Sequence, residues 1–263
     1  MSAVTFTGSN AVGEGIAARL AGRQVRFQGE LGGKNAAVVL ADADLDAAAR
    51  TILAAGFAQA GQRCTATSRV IVDRAVADEF AARLASGADA LVVGPPMDAG
   101  VQMGPVASED QMNSVLSAIS GATAEGATKV AGGGRLEDRD RDRGYFIAPT
   151  VFAEVGSSMD LWQQEVFGPV LALRTVDGIG QAIEAVNETR YGLAAAIFTK
   201  DLANSAAFVD GVDVGQVAVN LPTSGWPPHL PFGGFGASGS GFKEQGVEGL
   251  RFYLRTKTVA VAS

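Results

Sequence analysis

Cysteine and histidine are almost missing from this 263-residue chain, which holds one of each. A single cysteine excludes an internal disulfide and is typical of proteins of the reducing cytoplasm. One cysteine and one histidine also supply too few soft ligands for a zinc site, so we predict no bound metal. The lone thiol is Cys64, in the segment GQRC at residues 61–64, and its position calls for an explanation.

Positive charge and long apolar runs are also scarce. The formal net charge is −7 without a long run of either sign, so neither a nucleic acid nor a membrane surface is an expected partner. No apolar segment approaches the roughly 18 residues that span a bilayer. Apolar residues make up 47% of the chain, and its 34 glycines indicate many tight turns. We therefore expect a soluble cytoplasmic protein of one or two domains with a sizeable core.

Short β-branched runs alternate with alanine-rich stretches, which is typical of βαβ units and a largely parallel sheet. Helices are predicted to end near Leu20, to run from a cap at Asp44 to about Ala58, and to cover about 75–84. The charged segment 132–144 is predicted to be an exposed loop rather than a binding site. Strands are predicted at residues 4–7, 25–28, 36–40, 68–72, 170–176, 194–199 and 216–219, with an exposed alternating strand in the last ten residues.

The lone thiol lies in a predicted turn, where Gly61 allows close approach of a ligand. Cys64 is therefore a candidate nucleophile, and Arg63 favours its thiolate if the guanidinium points inward. Backbone N–H groups after the turn are candidate donors to an oxyanion. The alternative is that Cys64 is a small core residue, the usual position of a free cysteine.

A carboxylate beside paired glycines is the second candidate group. Residues 30–34 read ELGGK and place Glu30 at the end of a predicted strand. If that end faces a cleft, desolvation raises the pKa of the carboxyl toward that of a useful general base. The alternative is a surface ion pair between Glu30 and Lys34.

Five segments, in this order, resemble the aldehyde dehydrogenase superfamily, and together they cover essentially the whole chain. They are 6–13 (FTGSNAVG), 30–34 (ELGGK), 61–64 (GQRC), 165–170 (EVFGPV) and 231–239 (PFGGFGASG). The resemblance implies an α/β fold with a Rossmann-like catalytic domain, an incomplete cofactor domain and a C-terminal oligomerisation strand. The implied divisions are a remnant of the NAD(P)-binding domain at 1–31, the catalytic domain at 32–231, and a return segment with the oligomerisation strand at 232–263.

The resemblance also implies NAD(P)-dependent oxidation of an aldehyde to a carboxylic acid. Cys64 is then the nucleophile that carries the thiohemiacetal and thioester, and Glu30 is the base that activates water to hydrolyse the thioester. Glu165 is implied to hold the ribose hydroxyls, and Phe167 to pack beside the nicotinamide. The other implied cofactor contacts are Gly8, Ser9, Gly13 and Leu31.

The implied substrate is a small-molecule aldehyde, in particular a semialdehyde. The segments 61–65 and 220–232 are similar to those of bacterial semialdehyde dehydrogenases of the α-ketoglutaric semialdehyde type. His229 is then a candidate contact of a substrate carboxylate, and the alternative is a structural histidine between prolines. Trp226 is expected to be a wall or packing residue. The implied substrate contacts are Arg63, Thr65, His229 and Phe232.

Part of the family's pattern is missing from this sequence. The first strands of the cofactor domain, the bridging segment and an asparagine of the oxyanion hole lie upstream of the matched region in that family. We therefore expect a truncated form that binds NAD or NADP weakly or not at all. It is a truncated gene product, a fragment or one part of a split enzyme. The residue that selects between the two cofactors is expected upstream as well.

Two further interpretations of the chain stay open. Cys64 and Glu30 are sufficient for a thiol esterase that needs no cofactor. A non-catalytic assembly subunit would keep only the oligomer surface. The alternating C-terminal segment predicts a homodimer or tetramer through strand pairing, with an ordinary edge strand as the alternative.

Overall fold

The computed structural model describes residues 1–263, apart from the side chains at positions 139 and 140. The strands are β1 (Ala3–Thr7), β2 (Arg26–Glu30), β3 (Asn35–Val39), β4 (Thr67–Asp73), β5 (Thr128–Ala131), β6 (Thr150–Ala153), β7 (Val170–Val176), β8 (Tyr191–Gly192), β9 (Ala194–Phe198), β10 (Gln216–Val219) and β11 (Phe235–Gly236). The helices are α1 (Asn10–Leu20), α2 (Leu45–Phe57), α3 (Ala77–Asp89), α4 (Glu109–Ala124), α5 (Asp160–Gln163), α6 (Gly178–Asn187), α7 (Leu202–Gly211) and α8 (Gly246–Tyr253), with 3₁₀ turns at Ala58–Gly61, Arg74–Val76 and Arg139–Arg143.

A seven-stranded sheet forms the centre of the molecule, in the order β10-β9-β3-β4-β7-β6-β5. Its pairings are parallel except for that of β5 with β6. The residues of β3 and β9 are all buried, so their alanine, valine, isoleucine and phenylalanine side chains are covered on both faces of the sheet. Such burial is what parallel strands flanked by helices require. The α/β fold is therefore confirmed.

A small parallel pair, β1 with β2, stands apart from the central sheet. Helix α1 connects the two strands, so this unit is a single βαβ crossover within residues 1–31. The predicted three-part division of the chain stays a prediction. Segment 232–263 packs on this unit, because the Gln28 side chain donates to the main-chain oxygen of Lys243 at 2.8 Å and Arg26 donates to that of Leu254 at 2.9 Å.

The predicted helix and strand positions agree with the structure in most places. The Asp44 side chain accepts from the backbone of Ala47 at 3.0 Å and begins α2, as predicted. The predicted loop 132–144 contains one 3₁₀ turn, Arg139–Arg143. The main difference is at the C-terminus, where residues 254–263 form no strand within the described single chain. A strand exists only with a paired edge, so the expected pairing with a second subunit stays a prediction.

Candidate active site

The carboxyl ends of β1 and β2 meet and open into a cavity. Thr7 lies opposite Glu30 in the register, and the backbone N–H of Gly8 donates to the oxygen of Glu30 at 3.1 Å. The cavity has a volume of about 420 Å³ and brings together five segments that are far apart in the sequence. Its lining is Thr7, Gly8, Ser9, Glu30, Leu31, Gly32, Cys64, Gln111, Glu165 and Phe167.

An unusual turn delivers Cys64 to this cavity. Three successive residues have positive φ angles, Gln59 at 54°, Ala60 at 55° and Gly61 at 69°. Only glycine adopts this region without strain, so the surroundings must hold the other two residues there. The Asn35 side chain supplies part of that hold, because its Nδ2 donates to the oxygens of Cys64 and Ala66 at 2.8 Å each.

The surroundings of the Cys64 thiol disfavour its thiolate form. Burial raises the pKa of Cys64, and the charges of Glu30 and Glu165 raise it further. The predicted help from Arg63 is not found, because its Nε donates to the Gln59 side chain at 2.5 Å and its charge is not among the causes of the shift. The guanidinium lies in the turn instead of facing the thiol.

Glu30 is a buried carboxyl rather than half of a surface ion pair. Its side chain is 5% exposed and Lys34 is 2% exposed, which excludes the surface alternative. Burial raises the pKa of Glu30 to about 8, with Glu244 adding to the rise and Lys243 opposing it. Neither carboxylate oxygen has a hydrogen-bond partner among the described side chains and backbone. An unpartnered buried carboxyl is available to exchange a proton with a bound molecule.

A second acid is fixed in place on another wall. The Glu165 carboxylate accepts from the backbone of Gly33 at 3.0 Å, and burial raises its pKa while this bond and Lys34 oppose the rise. Lys34 is itself buried, and desolvation together with the charge of Arg69 lowers its pKa to about 7. Phe167, two residues further on, lies at the surface of the cavity with 39% of its area exposed.

The predicted cofactor contacts are brought together with one exception. Gly8, Ser9, Leu31, Glu165 and Phe167 line the cavity that holds Cys64. Gly13 does not line it and instead lies against the Leu31 side chain, where the absence of a Cβ allows α1 to approach.

The four predicted substrate contacts are not among the residues that line this cavity. Arg63 donates a hydrogen bond to the Gln59 side chain. Thr65 is buried, and its main-chain oxygen accepts from the Thr223 hydroxyl at 2.8 Å. His229 is exposed, and Phe232 pairs with the backbone of Glu244 at 2.6 Å. Their role toward a substrate stays a prediction.

Three polar residues at the site escaped the sequence interpretation. Asn10 accepts from the backbone of Gly32 at 3.1 Å and donates to that of Ala237 at 2.5 Å, which ties three segments together. In a similar way, the Asn35 side chain bonds to the loop that contains Cys64, and the Gln111 side chain bonds to the loop that contains Phe167. Asn10 and Asn35 lie in or next to recognised segments, so their positions carried a signal, whereas Gln111 is 47 residues from Cys64 in a helix without a motif.

Two further observations concern metals and membranes. Within the described part of the chain, no group of three or more His, Cys, Asp or Glu side chains is arranged to hold a metal ion. Likewise, the described helices include none whose length and apolar character suit a bilayer crossing.

A comparison with known sequences decides the family. The profile of the aldehyde dehydrogenase family matches residues 1–259. The chain belongs to this family. The resemblance of the five segments is thereby confirmed, and so is the enzyme class to which the chain is related.

The curated relatives match nearly all of this chain, but the match covers only about half of each relative. It is 40% identical to alpha-ketoglutaric semialdehyde dehydrogenase of Bacillus subtilis, covering 99% of this chain and 54% of that protein. It is 45% identical to alpha-ketoglutarate semialdehyde dehydrogenase of Haloferax volcanii, covering 97% and 53%. The chain thus spans about half the length of the curated relatives it matches.

A solved structure shares the fold. Betaine aldehyde dehydrogenase from Staphylococcus aureus, in complex with NAD+, superposes with a TM-score of 0.95 at 35% identity. The superposition covers 98% of this chain and 50% of that one. The aldehyde dehydrogenase fold of the matched half is therefore established.

Proposed function

We propose that this chain carries the nucleophile and the general base of an NAD(P)-dependent aldehyde dehydrogenase that oxidises a semialdehyde to a carboxylic acid. The observation that supports this most is the shared cavity of Cys64 and Glu30, in which a nucleophilic thiol and an unpartnered, raised-pKa carboxyl face one space. The semialdehyde is proposed from the names of the B. subtilis and H. volcanii relatives.

The residues present fit part of a dinucleotide. Helix α1 begins after Ser9, whose side chain makes no capping bond, so the first-turn N–H groups beside the cavity suit a pyrophosphate. The Glu165 carboxylate, fixed by Gly33, offers acceptors for ribose hydroxyls, and the exposed Phe167 ring offers an apolar surface beside a nicotinamide. When bound, the nicotinamide supplies the hydride acceptor of the oxidation. Contacts to the adenosine are proposed to come from a segment outside this chain.

Cys64 and Glu30 then divide the chemistry. The Cys64 sulfur forms a bond to the aldehyde carbon, the carbonyl electron pair moves to the oxygen, and this oxygen takes up the thiol proton to give the thiohemiacetal. After oxidation the acyl group is held as a thioester on Cys64. Glu30 takes a proton from water, the hydroxyl attacks the thioester, and the C–S bond breaks to release the acid. Because the pKa of Glu30 is about 8, its basic form and the hydrolysis rate increase as the pH rises toward that value.

Oligomer and location belong to the same proposal. The helix α8 exposes Val247 at 67% and Leu250 at 61%, and the C-terminal segment beyond it exposes Val259 at 72% and Val261 at 87%. Several exposed apolar side chains within one segment suit a subunit contact, and we propose a homodimer or tetramer. A cytoplasmic location stays a prediction from the single cysteine.

The test uses the chain co-expressed with the N-terminal half of the B. subtilis relative, with NADH formation as the readout. Cys64→Ala is expected to abolish NADH formation, and Glu30→Gln to keep a single-turnover burst while slowing steady turnover. The matched control is Glu184→Gln, an exposed acid of α6. Aldehyde oxidation retained without Cys64 would refute the proposal, and equal loss of burst and turnover in Glu30→Gln would refute the role of the base.

A further inference from the structure

Helix α4 reaches the active-site cavity through Gln111, a side chain in its first turns. Its Nε2 donates to two successive main-chain oxygens, those of Val166 and Phe167, at 3.0 Å each. Gln111 is not needed as a helix cap. Ser108 already begins α4 by accepting from the Gln111 backbone at 3.2 Å.

The loop that Gln111 contacts has a backbone conformation that needs support. Phe167 has a φ of 53°, in the left-handed region that a side chain with a Cβ disfavours. The phenylalanine ring does not provide the support by burial, because it is 39% exposed.

Residues on both sides of Phe167 are already fixed. The Glu165 carboxylate accepts from Gly33 at 3.0 Å, and Gly168 lies against Val115, one turn beyond Gln111 on α4. A residue between two fixed neighbours is left with few conformations, and the two Gln111 bonds select among them by holding both peptide oxygens on the helix side. Each such bond favours the held conformation by about fivefold.

We propose that Gln111 is a positioning residue that holds Phe167 in its left-handed conformation and thereby keeps the ring on the wall of the cavity that contains Cys64. That the cavity is used in aldehyde oxidation rests on the proposed function. That Gln111 fixes the conformation of Phe167 does not, because it involves only residues of this chain and requires neither cofactor nor aldehyde.

The lone cysteine provides a direct readout on the 263-residue chain. Rate constants are measured for alkylation of Cys64 by iodoacetamide, which is small, and by a naphthyl maleimide, which is bulky. Their ratio reports steric access, because a change in thiolate content affects both reagents alike. Phe167→Ala gives the ratio without the ring, and Asn113→Ala, an exposed neighbour on α4, is the matched control.

Gln111→Ala is expected to raise the bulky-to-small ratio toward that of Phe167→Ala, by about 25-fold at most, since it removes two hydrogen bonds that each shift the local equilibrium about fivefold. Gln111→Glu keeps the volume but its carboxylate cannot donate, so the same rise is expected. Asn113→Ala is expected to keep the wild-type ratio.

Three results would overturn the proposal. The first is a wild-type ratio in both Gln111 variants, and the second is a wild-type ratio in Phe167→Ala. The third is loss of the fold in both Gln111 variants by circular dichroism, which would make Gln111 a structural residue only. Failure of the proposed enzymatic function would leave the ratio unaffected, so the two are distinguished.

Discussion

Single residues at the site differ from their surface counterparts mainly through burial. Glu30, Cys64 and Glu165 lie around one cavity, and desolvation raises the pKa of each. Desolvation disfavours the charged form of each group, and for Glu30, with a pKa of about 8, the basic form becomes the major one only above that pH. Because these pKa values differ between the folded and the unfolded chain, the free energy of unfolding depends on pH.

Glu30 should make the folded chain less stable as the pH rises. Its pKa is about 8 when folded and 4.5 when exposed, so between these values the unfolded chain has lost a proton that the folded chain keeps. The free energy of unfolding contributed by Glu30 is therefore fully present below about pH 4.5 and falls by up to about 1.4 kcal/mol per pH unit until about pH 8.

Urea unfolding of wild type and Glu30→Gln at pH 5, 6, 7 and 8 checks this slope. The glutamine variant is expected to become progressively more stable relative to wild type as the pH rises. Lys34, with a pKa of about 7, contributes the opposite slope above that pH, but it is present in both proteins and cancels in the difference. A constant difference across the range would show that Glu30 is not desolvated.

The elements of the central sheet were largely predictable from the sequence. Each of the strands β3, β4, β7 and β9 contains at least three consecutive apolar residues, and short runs of this kind indicate buried strands of a parallel sheet. Four strands were not predicted, namely β5, β6, β8 and β11. They have at most four residues each, so local pattern carries little information and tertiary pairing decides them.

The site was predictable to the extent that its residues lie in recognised segments. Cys64, Glu30 and the glycines are in such segments, whereas the hold of Gln111 on a loop 55 residues away depends on how α4 packs. The raised pKa of Glu30 was conditional on a cleft that only the folded chain provides. The predicted C-terminal strand is absent from residues 254–263, and its pairing with a second subunit stays a prediction.

The left-handed residues of the turn before Cys64 are expected to reduce the stability of the fold. Ala60 has a φ of 55° and Ala55 lies within helix α2, and both are buried. Each alanine-to-glycine change removes one buried methyl group, so the difference between them isolates the backbone. Ala60→Gly relieves a left-handed residue while Ala55→Gly weakens a helix, so Ala60→Gly is expected to be about 2 kcal/mol more stable than Ala55→Gly. Chemical denaturation measures both, and equal losses would mean that the turn is not strained.

At the scale of the whole molecule, the chain spans about half the length of the curated relatives it matches. The βαβ unit of β1, α1 and β2 has two strands. Dinucleotide-binding folds hold the cofactor across several strands, so a two-stranded unit would offer a fraction of the contacts.

The chain by itself is therefore expected to bind NAD+ and NADP+ weakly or not at all. Calorimetric titration of the 263-residue chain, alone and with the N-terminal half of the B. subtilis relative, measures the difference. The exposed apolar residues of α8 and the C-terminus also predict self-association, which sedimentation of the same samples measures. Micromolar binding by the chain alone would show a cofactor site that the β1–β2 unit does not explain.

The claim that Cys64 and Glu30 form one catalytic pair is tested most directly by trapping the acyl group. The chain is incubated with an aryl ester, which acylates a thiol without a cofactor, and the mass of its peptides is measured. In Glu30→Gln the acyl group is expected to accumulate on the peptide that contains Cys64, because deacylation lacks its base, while wild type releases it and Cys64→Ala never acquires it. Equal occupancy of that peptide in wild type and Glu30→Gln, or an acyl group that persists in Cys64→Ala, would contradict the account.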